Sequence, residues 1–121
     1  MNGVAMLVAV AAVGALGSLA RFGVHETVQR RFGARYPLGT FLVNISGACA
    51  LGILVGAALT GDAFRIAGVG LLGAYTTFST WMLETERLAD RGASAAAVVN
   101  VVGSVVVGVA AVALGRRLGA L

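Results

Sequence analysis

Four long stretches of this 121-residue chain contain no charged side chain, and they constrain its fold more than any other feature. They cover residues 1–20, 36–61, 66–83 and 92–115, so only short segments remain between them. A helix that crosses the hydrocarbon core of a bilayer needs about 20 mainly apolar residues. Because hydrophobic residues also make up 59% of the chain, the sequence predicts four membrane-spanning helices.

The predicted architecture is all-α, a single membrane domain over residues 1–121 with approximate spans at 3–30, 37–61, 65–89 and 93–117. No basic residue precedes the first apolar stretch, so we interpret it as a retained helix rather than a cleaved signal peptide. Cys49, the only cysteine, is expected to pack as a small apolar residue. His25, the only histidine, is predicted to lie in a loop. The spans hold no catalytic or metal-ligand cluster, so we do not expect an enzyme.

The positive charge of the chain comes from nine arginines, since there is no lysine, and the net charge is +4. These arginines flank the apolar stretches, so membrane lipid headgroups rather than nucleic acid are their expected neighbours. Six arginines belong to the end of the bundle that holds the first and third loops, and three belong to the other end. The positive-inside rule favours a cytoplasmic position for those two loops, although insertion in both orientations stays open.

Small and polar residues recur at helical spacing within the spans. Ala48, Gly52 and Gly56 lie four residues apart and predict a seam for close helix packing. Two further strips are expected to face protein rather than lipid: Gly14, Gly17, Ser18 and Arg21 in the first span, and Asn100, Ser104 and Gly108 in the fourth.

Uncharged hydrogen-bond donors form a second pattern, made of Asn44, Ser79, Thr80, Asn100 and Ser104. Taken singly, each is better explained as a contact between helices, but together they suit the path of a small anion. No acidic residue lies in the four stretches, which disfavours a small multidrug or cation exporter built on a membrane carboxylate. A non-transporting subunit of a membrane assembly is the alternative outside transport.

The segment GAYTTFSTWMLE, residues 73–84, is where we expect the third span to break. Its hydroxyl side chains can bond to the backbone in place of the helical ladder. A break at membrane depth frees backbone groups that can bind an ion. Phe78 and Trp81, three residues apart, could offer their positive ring edges to an anion. Spacing alone favours packing of Phe78 inside the bundle and an interfacial position for Trp81.

Three motifs in order resemble those of the Fluc fluoride channels, also called CrcB proteins. They are GALGSLARF at residues 14–22, PLGTFLVNISGACALG at 37–52, and TTFSTW at 76–81 followed by Glu84. The resemblance implies a passive fluoride channel in the cell inner (plasma) membrane that exports F⁻ from the cytoplasm. It also implies an antiparallel, dual-topology homodimer with two pores and a structural sodium ion at its centre.

Site residues carried over by these motifs are the pore residues Asn44 and Phe78, the hydroxyl residues Ser79 and Thr80, the vestibule arginine Arg21, and the backbone carbonyls of Gly73 and Thr76 as sodium ligands. Asn100 and Ser104 lie on a face similar to the polar face of the family's fourth helix. Trp81 departs from the family, which usually has a second phenylalanine there. This difference leaves a heterodimeric channel open as an alternative. For Glu84, just beyond the hydroxyl residues, three roles stay open: a helix cap, an ion pair with an arginine, or a marker of the membrane interface.

Overall fold

The computed structural model describes residues 1–121 and consists of helices and connecting loops only. The first, second and fourth spans are α1 (Gly3–Phe32), α2 (Leu38–Gly56) and α6 (Ser94–Gly119). The third span is divided into α3 (Gly61–Phe64), a π-helical segment (Arg65–Leu72), α4 (Gly73–Tyr75) and α5 (Ser79–Asp90). Four helical units are long and apolar enough to cross a membrane, which confirms the predicted all-α membrane architecture with a broken third span.

The first helix is longer than the bilayer core requires. Its 30 residues extend over about 45 Å at 1.5 Å per residue, against a hydrocarbon thickness of about 30 Å. The helix begins where the Asn2 side chain accepts a hydrogen bond of 2.8 Å from the Ala5 N–H, and it continues beyond Arg21 to Phe32. His25 is therefore helical, and its predicted position in a loop is wrong. The charges after Ala20 mark the edge of the apolar segment rather than the end of the helix.

Glycines bring α2 and α6 together along most of their length. A Cβ atom added to Gly56 would overlap the backbone of Arg116, and one added to Gly115 would overlap the Cys49 carbonyl oxygen. Gly52 likewise meets the backbone of α6. These contacts confirm Gly52 and Gly56 as part of a packing seam, in which the absence of side chains lets two backbones approach closely.

The first helix packs against the π-helical segment through a similar contact. A Cβ atom at Gly17 would overlap the Leu71 carbonyl oxygen, and one at Gly70 would lie 2.8 Å from Val13 Cγ2. Gly17 therefore faces protein, as the small-residue strip predicts. Only 13 of the 121 residues are buried inside the chain, so most of its apolar surface is left for lipid or for another subunit.

Candidate functional site

The break in the third span lies at residues 76–78, between α4 and α5, and Asn44 of α2 holds it. The Asn44 Nδ2 group donates a hydrogen bond of 2.8 Å to the Thr77 carbonyl oxygen. The Thr77 N–H donates one of 2.8 Å back to Asn44 Oδ1. Thr76 has an extended backbone, with φ −80° and ψ 159°, so the helix cannot continue through it. The amide of Asn44 thus replaces the helical partners that Thr77 lacks.

The backbone carbonyls that these bonds leave without a donor include those of Gly73 and Thr76. In a continuous helix, the Thr77 N–H would bond to the Gly73 carbonyl and the Thr80 N–H to the Thr76 carbonyl. Here the Thr77 N–H bonds to Asn44, and the Thr80 N–H donates to Thr77 Oγ1 at 3.3 Å. Neither the Gly73 nor the Thr76 carbonyl accepts a hydrogen bond from the rest of the chain.

Carbonyl oxygens without donors at membrane depth require a partner from outside the chain. Oxygen atoms of this kind are the ligands that hard cations prefer. The geometry therefore fits the backbone cation site that the sequence motifs imply at Gly73 and Thr76. Two carbonyls do not complete the coordination shell of a cation, so further ligands would have to come from a second chain or from water.

A groove of about 520 Å³ lies beside the break. Its lining includes six of the predicted site residues: Asn44, Gly73, Thr76, Phe78, Trp81 and Ser104. Phe78 is 69% exposed, so the interpretation that it packs inside its own bundle is wrong. Its ring meets that of Trp81 edge to face, with centroids 5.7 Å apart and planes at 83°. The two rings therefore project to the same side, as their spacing predicts.

Asn100 lies behind Trp81 and does not line the groove. The Trp81 Nε1–H donates a hydrogen bond of 3.1 Å to the Asn100 carbonyl oxygen, and Asn100 Nδ2 donates one of 2.8 Å to Thr85 Oγ1. Its side chain is only 1% exposed, so it fastens α5 to α6 in this single chain. Ser104, one helical turn farther along α6, has a buried Oγ atom without a hydrogen-bond partner.

A smaller cavity of about 270 Å³, the inner cavity, lies between α1, α2 and the third span and includes Arg21 in its wall. It brings Arg21 of α1 together with Thr80 of α5, and its lining is Ser18, Arg21, Phe22, His25, Thr40, Val43, Thr77 and Thr80. The predicted vestibule arginine and one predicted hydroxyl residue thus share one cavity. Ser79 is exposed and lines neither the groove nor the inner cavity.

The sequence motifs alone assign no role to Thr40, Thr77 or Glu84, yet all three belong to this region. Thr40 Oγ1 donates a hydrogen bond of 2.9 Å to Glu84 Oε1, and His25 Nε2 lies 3.6 Å from the same oxygen. Thr77 accepts at its hydroxyl oxygen the N–H of Thr80, the second residue of α5, and so binds a helix-terminal N–H from just before the helix. The contact between Thr40 and Glu84 joins distant segments, so no local sequence signal could have found it.

Comparisons with known proteins agree with the arrangement of these motifs. The sequence profile of the family described as "CrcB-like protein, Camphor Resistance (CrcB)" matches residues 8–116. A protein of Mycolicibacterium paratuberculosis named "Fluoride-specific ion channel FluC 2" is 50% identical over 121 residues, which cover 100% of this chain and 99% of that protein. A protein of the same name from Mycobacterium tuberculosis H37Rv is 50% identical over 113 residues, covering 93% of this chain and 90% of that protein. One from Haloarcula marismortui is 46% identical over 95 residues, covering 78% of this chain and 77% of that protein.

Proposed function

The chain belongs to the CrcB family, and from that premise we propose that it is a fluoride-selective channel through which F⁻ leaves the cytoplasm passively. The observation that carries the proposal is the broken third span, which presents ring edges and uncharged hydrogen-bonding groups in one groove. The family match also decides against the multidrug-exporter alternative and against an enzyme. We place the channel in the cell inner (plasma) membrane, and its four long apolar helical units support a protein that crosses the membrane several times.

In this proposal the anion enters through the inner cavity. Arg21 attracts F⁻ there, and the hydroxyl group of Thr80 replaces part of its hydration shell, whereas Ser79, outside this cavity, would contact the ion only elsewhere on its route. A site made of neutral donors binds an ion strongly enough to admit it and weakly enough to release it. Arg21 and Thr80 line the same small cavity, which supports this order of contacts.

Beyond the hydroxyl groups, the aromatic rings continue the path. Phe78 is exposed in the groove and would offer its ring edge, where the partial charge is positive. The Trp81 N–H already donates to the Asn100 carbonyl, so this residue would also act through its ring edge rather than as a hydrogen-bond donor. Ser104 has a buried hydroxyl without a partner and would donate to the passing ion from α6. Asn100 would act indirectly, by supporting Trp81.

The proposed partner is a second copy of the same chain in the opposite orientation. Most apolar surface is unburied in the single chain, and the groove that holds Phe78 is open. Two antiparallel copies would bring the Gly73 and Thr76 carbonyls of each chain to a common centre, where they would hold a structural sodium ion. The ion would supply the positive charge that these donor-free oxygens require.

The test is fluoride efflux from liposomes that contain this purified polypeptide alone, with chloride as the comparison ion. Fast efflux of fluoride but not of chloride is the expected result, and a fluoride electrode measures it. Equal rates for the two ions would contradict the proposed selectivity. No efflux from a well-folded dimer would instead favour the heterodimer alternative, in which Trp81 of this chain requires a different aromatic residue from a partner subunit.

A further inference from the structure

A second cavity, the outer cavity, lies next to the inner cavity at the same end of the helices. Its volume is about 460 Å³, and its polar lining includes His25, Gln29, Glu84, Arg87, Asp90 and Arg91. Neither Arg87 nor Arg91 forms an ion pair within the chain, so both guanidinium groups can attract an anion from solution.

His25 is the only residue that lines both cavities. Its ring packs against α2, where a Cβ atom added to Gly39 would lie 2.8 Å from His25 Cδ2. Its Nε2 atom lies 3.6 Å from Glu84 Oε1, and its Nδ1 atom lies 3.7 Å from Glu26 Oε1. The imidazole therefore forms part of the wall between the outer and the inner cavity.

The carboxylate of Glu84 makes this wall unfavourable for anions. Glu84 is mostly buried, its Oε1 accepts from Thr40, and its Oε2 has no hydrogen-bond partner. His25 is the only cationic group within ion-pair distance of it, and His25 Nε2 likewise has no hydrogen-bond partner. While His25 is neutral, the negative charge of Glu84 repels an approaching anion. A protonated imidazole cancels that charge and presents an N–H donor.

Among the charged groups that surround the two cavities, His25 is the one whose side-chain type ordinarily changes its charge near neutral pH. The α2 residues that contact it or share its inner cavity, Gly39, Thr40 and Val43, are uncharged, and α6 contributes no residue to either cavity. The charged groups that face the ring or share its cavities are Arg21 and Glu26 on α1, and Glu84, Arg87, Asp90 and Arg91 on α5. Histidine is the side chain that ordinarily changes its charge between about pH 5 and 8.

We propose that His25 is a proton-controlled gate on the anion route, which passes anions from the outer cavity to the inner cavity when its imidazole is protonated. This inference rests on the proposed function, because it assigns a step in the same anion path. Neither the family match nor the names of the relatives assigns a role to this residue. The outer cavity collects anions near Arg87 and Arg91, and His25 with Glu84 decides whether they continue to Arg21 and Thr80.

The test compares fluoride efflux at equal pH on both sides of the liposome membrane, over about pH 5.5 to 8. Protein-free liposomes give the background at each pH, since HF crosses lipid unaided. We expect the unmodified channel to be roughly tenfold faster at the acidic end, and His25→Gln to remove this dependence. Glu26→Gln is the matched control, because Glu26 contacts the same ring but lines neither cavity, and it should keep the pH dependence.

A pH dependence that persists in His25→Gln would overturn the gate, as would a rate in the unmodified channel that does not change with pH. The absence of fluoride flux at every pH would contradict a channel formed by this chain alone, and the gate with it, so the two failures are distinguishable.

Chemical modification of the folded channel provides a second route if His25→Gln does not fold. The chain has one histidine and no lysine, so diethyl pyrocarbonate can acylate the imidazole with little competition. Treated channels should lose the pH dependence, and hydroxylamine should restore it. A pH dependence that survives complete modification would overturn the gate.

Discussion

The contact between Asn44 and Thr77 gives the sharpest test of how the broken span is stabilised. Replacing Asn44 with leucine, which is similar in size but cannot form hydrogen bonds, removes both bonds of 2.8 Å. The Thr77 N–H is then free to bond to the Gly73 carbonyl, as in an unbroken helix. The substitution should therefore both destabilise the break and withdraw one of the two carbonyls proposed to bind sodium.

The expected loss of stability follows from the two bonds. Two neutral hydrogen bonds contribute about 2 kcal/mol net, and the loss rises to about 5 kcal/mol if the Thr77 N–H and C=O both stay unsatisfied. Bound sodium should stabilise the unmodified protein by about 2.7 kcal/mol at a concentration one hundred times its Kd. Unfolding in detergent, measured with sodium and again with a large organic cation in its place, gives both quantities.

Asn44→Leu should unfold more readily and should gain much less from sodium than the unmodified protein. Ser46→Ala is the matched control, since Ser46 on the same helix bonds to the Tyr75 hydroxyl but not to the residues of the break. It should keep the gain from sodium. If Asn44→Leu gained as much from sodium as the unmodified protein, the idea that Asn44 frees the Gly73 carbonyl for a cation would be refuted.

Three further predictions concern the aromatic rings and the helix seam. Phe78→Ile should abolish fluoride efflux while the dimer remains intact by size-exclusion chromatography, and normal efflux would contradict the role of the ring edge. Trp81→Phe should keep fluoride selectivity over chloride while losing about 1 kcal/mol of stability with the bond to the Asn100 carbonyl; loss of efflux would mean that the indole itself is required. Gly115→Ala should lower the free energy of unfolding by at least about 1 kcal/mol, because its Cβ would overlap the backbone of α2. Gly103→Ala, whose Cβ meets nothing nearer than 3.9 Å, should be neutral or stabilising, and equal effects of the two substitutions would refute the seam.

The four spans could be predicted because local composition decides them, and the position of the break because local composition permits a break there. Long apolar segments free of charge cross the bilayer core as helices. The segment TTFST carries hydroxyl groups that compete with the helical ladder. The seam at Gly52 and Gly56 could also be predicted, since it depends on spacing along a single helix. The approximate span 3–30 also includes His25, but the charges that begin at Arg21 led us to expect this residue in a loop. A helix can continue beyond the membrane edge that its charges mark, as α1 does to Phe32.

The side-chain contacts that form the site could not be predicted from the sequence, for a different reason. Asn44 and Thr77 are 33 residues apart, and Thr40 and Glu84 are 44 apart, so no periodicity links them. The motifs identified Asn44 as a pore residue but could not indicate that its amide is bonded to the backbone of the break. The π-helical segment Arg65–Leu72 was likewise not predicted from the sequence, and Gly17 and Gly70 let α1 approach it closely.

The second helix acts as a template for the third span. Thr40, Asn44 and Ser46 of α2 bond to Glu84, Thr77 and Tyr75 respectively, so they hold the span on both sides of its break. A segment such as TTFSTW could form a continuous helix if these partners were absent, because its own backbone groups would then bond to one another. The break is therefore a property of two helices together. Transferring TTFSTW alone into another four-helix membrane protein should not create the site, whereas transferring it with GTFLVNIS would bring the polar groups that keep it open.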